Sequence, residues 1–216
     1  MASTDSLTSD EYYAGLIDAQ LSVGIAKNNS VRVSLVSNDP RVAEELAAKF
    51  RPTRVTIVKR PDKKDVCTAL FAGDAATGLL EFAAQHCVLK ADLARTALAF
   101  RADKASADDV KNVAPAESLE DVSLDWASGF FDVRGVVVQP QRATEETKAR
   151  RGAVRLVLPK AEKFVIPALQ KVLNGKIKKS SPCRLVYENK HDIREFVTTI
   201  GDHVRAKKDD LDAVLP

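Results

Sequence analysis

The hydrophobic period along the chain changes in a fixed order, and the order occurs twice. Over 9–20 the apolar residues recur at the helical spacing, whereas 22–27 and 31–37 alternate as half-buried strands do. The helical period returns at 40–50, alternation at 53–60 and 65–72, and the helical period again at 74–87 and 90–101. The second series predicts a helix at 121–132, strands at 135–140 and 153–159, and a helix at 161–173. Strands at 175–180 and 183–188 and a closing helix at 191–204 complete it. Alternation assigns Val23, Ile25, Val31, Val33, Leu35, Val55, Ile57, Val154, Leu156 and Leu158 to the core faces of the strands. The opposite parity then carries Ser22, Arg32, Ser34, Val36, Arg54, Thr56, Val58 and Arg60 in the first half. In the second half it carries Arg155, Lys176, Lys178 and Arg184.

Two landmarks put both series in one register. Tyr13-Ala14-Gly15-Leu16-Ile17-Asp18 returns in degenerate form as Ala127-Ser128-Gly129-Phe130-Phe131-Asp132, and Glu81-Phe82 returns as Glu195-Phe196, each at an offset of 114. The expected organisation is a first repeat at 1–102, a polar linker at 103–118 and a second repeat at 119–216, each repeat reading αββαββα. The fold class is therefore α+β, with antiparallel sheets. Asn38-Asp39-Pro40 supplies a helix start and Asn174-Gly175 a helix stop.

Composition narrows the classes without choosing among them. The chain has 216 residues, is 45% hydrophobic and 29% charged, and has no run of apolar residues long enough to cross a bilayer. Met1 to Asp10 is acidic and rich in Ser and Thr, the wrong chemistry for a retained presequence or a signal peptide. Cys67, Cys87 and Cys183 are odd in number and lack metal-ligand spacing, as do the three histidines, so no metal or cofactor is expected. Net charge is +3, and all the excess lies after residue 116, where Lys and Arg number 18 against 15 acids. The tract 139–152, with Arg142, Lys148, Arg150 and Arg151 among glutamates, reads as an extended hairpin loop.

Ala14-Gly15-Leu16-Ile17-Asp18-Ala19 resembles the LAGLIDADG motif almost letter for letter, and Gly129-Phe130-Phe131-Asp132 resembles its Phe-Phe variant. The strand-like Ser22-Val23-Gly24-Ile25, the tract Leu169 to Ile177 and Asp192-Ile193-Arg194-Glu195-Phe196 extend the resemblance over nearly the whole chain. It implies the single-chain, two-repeat fold of the LAGLIDADG homing endonucleases, a monomer with an internal pseudo-dimer. In that fold two motif helices pack through small residues, here Ala14 and Gly15 against Ser128 and Gly129, and saddle-shaped sheets lie across nucleic acid.

The resemblance also locates the chemistry that is missing. Active members end each motif helix in Asp or Glu, which hold divalent metals; here those positions are Gln20 and Arg134. Neutral Gln is a poor Mg²⁺ ligand, and an Arg about 4 Å from the ion would repel it by roughly 8 kcal/mol at an effective dielectric of 20. Asp18 and Asp132, two residues earlier, are rotated about 200° around the helix and are expected to serve local hydrogen bonds near its end. Lys90 and Lys208 correspond to the basic residues of active sites. No catalytic residue is assigned. Phosphate contacts are expected from Arg32, Arg54, Arg60, Arg142, Arg150, Arg151, Arg155, Lys176, Lys178, Lys179 and Arg184. The expected function is a non-cleaving binder of RNA or DNA, as in an organellar ribosome or RNA-processing assembly, with a mitochondrial or plastid setting implied by the resemblance alone. The alternatives are an architectural protein that contacts other proteins through Val36 and Val58, and an endonuclease with unidentified metal ligands.

Overall fold

The computed structural model describes residues 9–61, 65–139, 152–158, 164–178 and 183–215. The chain starts with helix α1 (Asp10–Asp18), strands β1 (Leu21–Ile25) and β2 (Val31–Ser37), helix α2 (Pro40–Phe50), strands β3 (Arg54–Val58) and β4 (Val66–Ala72), and helices α3 (Asp74–His86) and α4 (Ala91–Arg101). A short helix α5 (Ala107–Lys111) precedes the second series. This comprises α6 (Leu124–Arg134), β5 (Gly135–Val138), β6 (Ala153–Leu158), α7 (Ile166–Leu173), β7 (Lys176–Lys178), β8 (Cys183–Tyr187), α8 (Lys190–Ile200) and α9 (Lys208–Asp212).

Local chemistry sets corresponding boundaries in both series. The Ser9 hydroxyl accepts from the Tyr12 N–H and that of Ser123 from the Trp126 N–H, so one N-cap device, at an offset of 114, starts both motif helices. Asp39 caps α2 ahead of Pro40. Arg51 and Asn174, both left-handed with φ of 48° and 50°, end α2 and α7.

Each series builds one antiparallel four-stranded sheet, in the orders β1-β2-β4-β3 and β5-β6-β8-β7. Register places Val33 opposite Val23 and Phe71, and Val154 opposite Val137 and Tyr187, on the faces covered by helices. Buried residues of both halves form one continuous core. Leu16, Ile17, Phe130 and Phe131 lie at its centre, fully buried.

Several expectations are corrected. Val55 and Ile57 have the parity of core residues but are 43% and 51% exposed, because β3 is an edge strand that α2 covers only in part. The polar linker contains α5, fixed by a reciprocal Ser106–Asp109 capping box and by Val110, which is buried. The helix expected at 121–132 starts only at Leu124, after the Ser123 cap. The closing helix ends at Ile200 rather than 204, and α9 follows it.

Candidate nucleic-acid interface and the paired motif helices

The motif helices α1 and α6 lie side by side because glycine lets them touch backbone to backbone. A Cβ on Gly15 would stand 2.0 Å from the Trp126 carbonyl oxygen, and one on Gly129 would stand 1.9 Å from that of Tyr12. Ala14, Ala127 and Ser128 are fully buried beside them.

Asp18 and Asp132 are fully buried in this contact, and their bonding is long-range rather than local as expected. Asp18 accepts from the backbone N–H groups of Val88, Leu89 and Lys90 at 2.8, 3.0 and 2.8 Å. A fourth donor, the Trp126 indole N–H, reaches it from the opposite motif helix at 2.9 Å. Asp132 repeats the arrangement, accepting from the N–H groups of Arg205, Ala206 and Lys207 and from the Tyr12 hydroxyl at 2.7 Å. Tyr12 and Trp126 stand 114 residues apart, the offset of the motifs themselves. Each carboxylate thus ties a loop of its own repeat to the helix of the other. Burial pushes both carboxyls above their ordinary range; the N–H donors, Trp126 for Asp18 and the Tyr12 hydroxyl for Asp132 oppose it. In turn, burial and the neighbouring Asp132 push the Tyr12 phenol up.

The same bonds correct a correspondence. Lys90 is the third backbone donor to Asp18, and the third donor to Asp132 is Lys207, not Lys208. Lys207 is 5% exposed and its ammonium donates to the Asp132 carbonyl, whereas Lys208 is an exposed residue 3.8 Å from Asp202. The loop after α8 is three residues longer in this register than the one before α4 (207 − 132 = 75 against 90 − 18 = 72), which hid Lys207 from spacing.

Gln20 lies just before β1 and Arg134 just before β5. Both polar atoms of the Gln20 amide are buried without a hydrogen-bond partner. Arg134 lines a cavity of about 320 Å³ with Asn38, Asp39, Val133, Gly135, Val136, Val157 and Lys207. A divalent metal does not fit this donor set, since a neutral amide and a guanidinium stand at the helix ends and a buried ammonium shares the cavity. Among the described residues, no group of three His, Cys, Asp or Glu could hold a metal ion.

The repeats are further joined across α2. Arg41 forks onto Asp39 and reaches Asp210 at 2.6 Å, and Arg205 pairs with Glu45 at 3.1 Å. Burial raises the Asp39 carboxyl, but the Arg41 bonds and the Lys207 charge outweigh it and hold Asp39 below the usual carboxylate range.

The sheet faces turned away from the helices carry the expected cations unevenly. Arg32 and Arg54 are exposed on the first sheet, and Arg60 is exposed just beyond β3; no ion pair occupies their charges among the described residues. On the second sheet Lys176 pairs with Asp192 and Lys178 with Glu188, at 3.2 and 2.7 Å, while Arg155 and Arg184 are half-buried. Lys178, with help from Arg155 and Lys176, holds the Glu188 carboxyl below its usual range. Arg142, Arg150, Arg151 and Lys179 lie outside the described residues. No described helix is long and apolar enough to cross a membrane.

No protein-family model matches the sequence, and no curated protein matches it. Solved structures do match the fold. The LAGLIDADG meganuclease I-AabMI bound to uncleaved DNA aligns at a TM-score of 0.66 and 13% identity, over 94% of this chain and 88% of its own. Meganuclease I-SmaMI bound to uncleaveable DNA gives 0.68 and 15%, over 94% and 88%. The homing endonuclease I-GzeII in complex with its DNA target gives 0.65 and 12%, over 94% and 87%. With two motif helices in backbone contact, two sheets of matching strand order and this agreement over almost the full length, the chain has the fold of the LAGLIDADG homing endonucleases.

Proposed function

We propose that this protein binds structured RNA or DNA across its two sheets and does not cleave it. One observation carries the reading: the strand faces turned from the helices bear arginine and lysine in both repeats, while the helix ends preceding β1 and β5 bear Gln20 and Arg134 in place of carboxylates. Cations on extended strands reach phosphates, and without a paired carboxylate no metal is held to activate water. The setting that accords with this chemistry is an RNA–protein assembly, such as an organellar ribosome or RNA-processing complex.

The test is binding to structured RNA and to duplex DNA in EDTA, titrated with salt, followed by Mg²⁺. If Arg32, Arg54, Arg60, Arg155 and Arg184 each neutralise one phosphate, the plot of log K against log salt has a slope of about −4.5 on duplex DNA. No strand breaks are expected after Mg²⁺. Nicking refutes the non-cleaving centre. Absence of binding at low salt refutes the interface and favours an architectural role through protein contacts, the second reading that the exposure of Val36 and Val58 supports.

A further inference from the structure

Six large apolar side chains stand well exposed among the described residues, and four of them, Val36, Val55, Ile57 and Val58, gather at one end of the first sheet. Three belong to β3, which among the described residues pairs with β4 alone and so leaves one backbone edge open. Val55 and Ile57 point to the helix side, where α2 leaves about half of each exposed, and Val58 to the other, where Val36 stands on β2. An open edge with apolar residues on both faces is a template for another strand.

The corresponding edge of the second sheet is built differently. In the described part of β7, Lys176 and Lys178 are held by Asp192 and Glu188, and the apolar residue between them, Ile177, is half-buried. An edge that presents ion-paired lysines resists further pairing. The two repeats share a topology, so the open character of β3 is a property of its residues rather than of the fold.

Charge selects the occupant. Arg51 and Arg54 stand at the start of β3 and Lys59 and Arg60 follow it, all exposed and without an ion pair among the described residues. A second copy laid antiparallel along this edge would bring Arg54 and Arg51 beside Lys59 and Arg60, like against like. The apolar side chains favour a peptide over a phosphate backbone. We propose that the β3 edge receives an extended segment of a partner protein, apolar at alternate positions and acidic at both ends, which adds to the sheet as a fifth strand.

The test uses the full chain and a blocked synthetic peptide of alternating valine and threonine flanked by paired glutamates, with a lysine-flanked version as control. Binding is read by fluorescence anisotropy, and its site by amide hydrogen exchange of residues 54–58. The glutamate peptide is expected to bind at least tenfold more tightly than the lysine peptide and to slow exchange in 54–58. Combining Val55→Ser with Ile57→Ser, both on exposed side chains, is expected to weaken binding at least tenfold without lowering Tm. Equal binding of both peptides, unchanged exchange at millimolar peptide, or full binding by the double variant overturns the proposal. So does a dimer of the chain alone that the double variant dissolves, since the edge would then serve self-pairing. Nucleic-acid binding in the absence of peptide is a separate readout, so either proposal can fail without the other.

Discussion

Replacing Gly15 by alanine adds one methyl group at the place where α1 and α6 have no room for it. An ideal Cβ there lies 2.0 Å from the Trp126 carbonyl oxygen and 2.9 Å from the Phe130 nitrogen, both backbone atoms that cannot rotate away. Real Cβ contacts stay above 3.0 Å, so along that line the helices must part by at least 3.0 − 2.0 = 1.0 Å. A gap of that size forfeits about a quarter to a half of each dispersion contact it opens. It also stretches the bond from the Trp126 indole to Asp18, which is 2.9 Å long. Overpacking costs about 1–3 kcal/mol in general. With backbone on one side and a buried carboxylate on the other, Gly15→Ala is expected near 3 kcal/mol, a fall in Tm of roughly 6–12 °C for a chain of this length. Gly78→Ala is the control. Gly78 is in the interior of α3 with nothing within 4 Å of an added Cβ, so alanine should stabilise by about 0.5–1 kcal/mol through helix propensity alone. Both are measured by urea unfolding followed through the fluorescence of Trp126, the only tryptophan, whose ring stacks on Phe130 at this interface. A Gly15→Ala protein within 0.5 kcal/mol of the parent, or a Gly78→Ala protein destabilised alongside it, would refute the backbone-contact explanation.

Asp132→Asn keeps shape but turns a donor toward N–H groups; a loss of about 3 kcal/mol is expected in chemical denaturation, against about 1.5 kcal/mol for Tyr12→Phe, which removes a single bond to the carboxylate. Gln20→Met relieves two buried polar atoms that have no partner, and urea unfolding should show a gain of about 1 kcal/mol. Asp39 is held below its ordinary value in the folded state, so its contribution is complete above the unfolded pKa of about 3.9 and is lost as pH falls through the lower folded value. Asp39→Asn, which keeps an N-cap acceptor, should therefore lower Tm at pH 7 and flatten the decline of Tm below about pH 4.

The fold was legible because it rests on periodicity and on small residues. Alternation placed Val33, Leu35, Val154 and Leu156 correctly, since strands covered by helices bury every second residue. It failed at Val55 and Ile57 because parity fixes the face of a strand and not whether anything covers that face; an edge position is a tertiary fact. Alternation places the strand cations on a face, but whether they are neutralised it cannot say. Lys178 and Glu188 are ten residues apart and meet only when β7 and β8 pair. As a result, the charge excess of the second half is partly spent within its own sheet, while Arg51, Arg54, Lys59 and Arg60 around β3 have no ion pair among the described residues.

Tyr12 and Trp126 were recoverable and were missed. The offset of 114 that aligns Gly15 with Gly129 also aligns these two residues, both aromatic and each with one hydrogen-bond donor at its tip. That pairing makes the motif aspartates architectural. Asp18 and Asp132 are each saturated by four N–H or O–H donors, three from one repeat's loop backbone, so neither oxygen pair is left to hold a metal. The position two residues after Asp18 differs, because no such network engages the side chain of Gln20, whose buried amide has no hydrogen-bond partner. The motif therefore contains glycines and aspartates that determine how the repeats join, followed by Gln20 and Arg134 at the ends of the two helices. The contacts that join the repeats are all present here although the helix ends hold an amide and a guanidinium, a donor set that does not fit a metal.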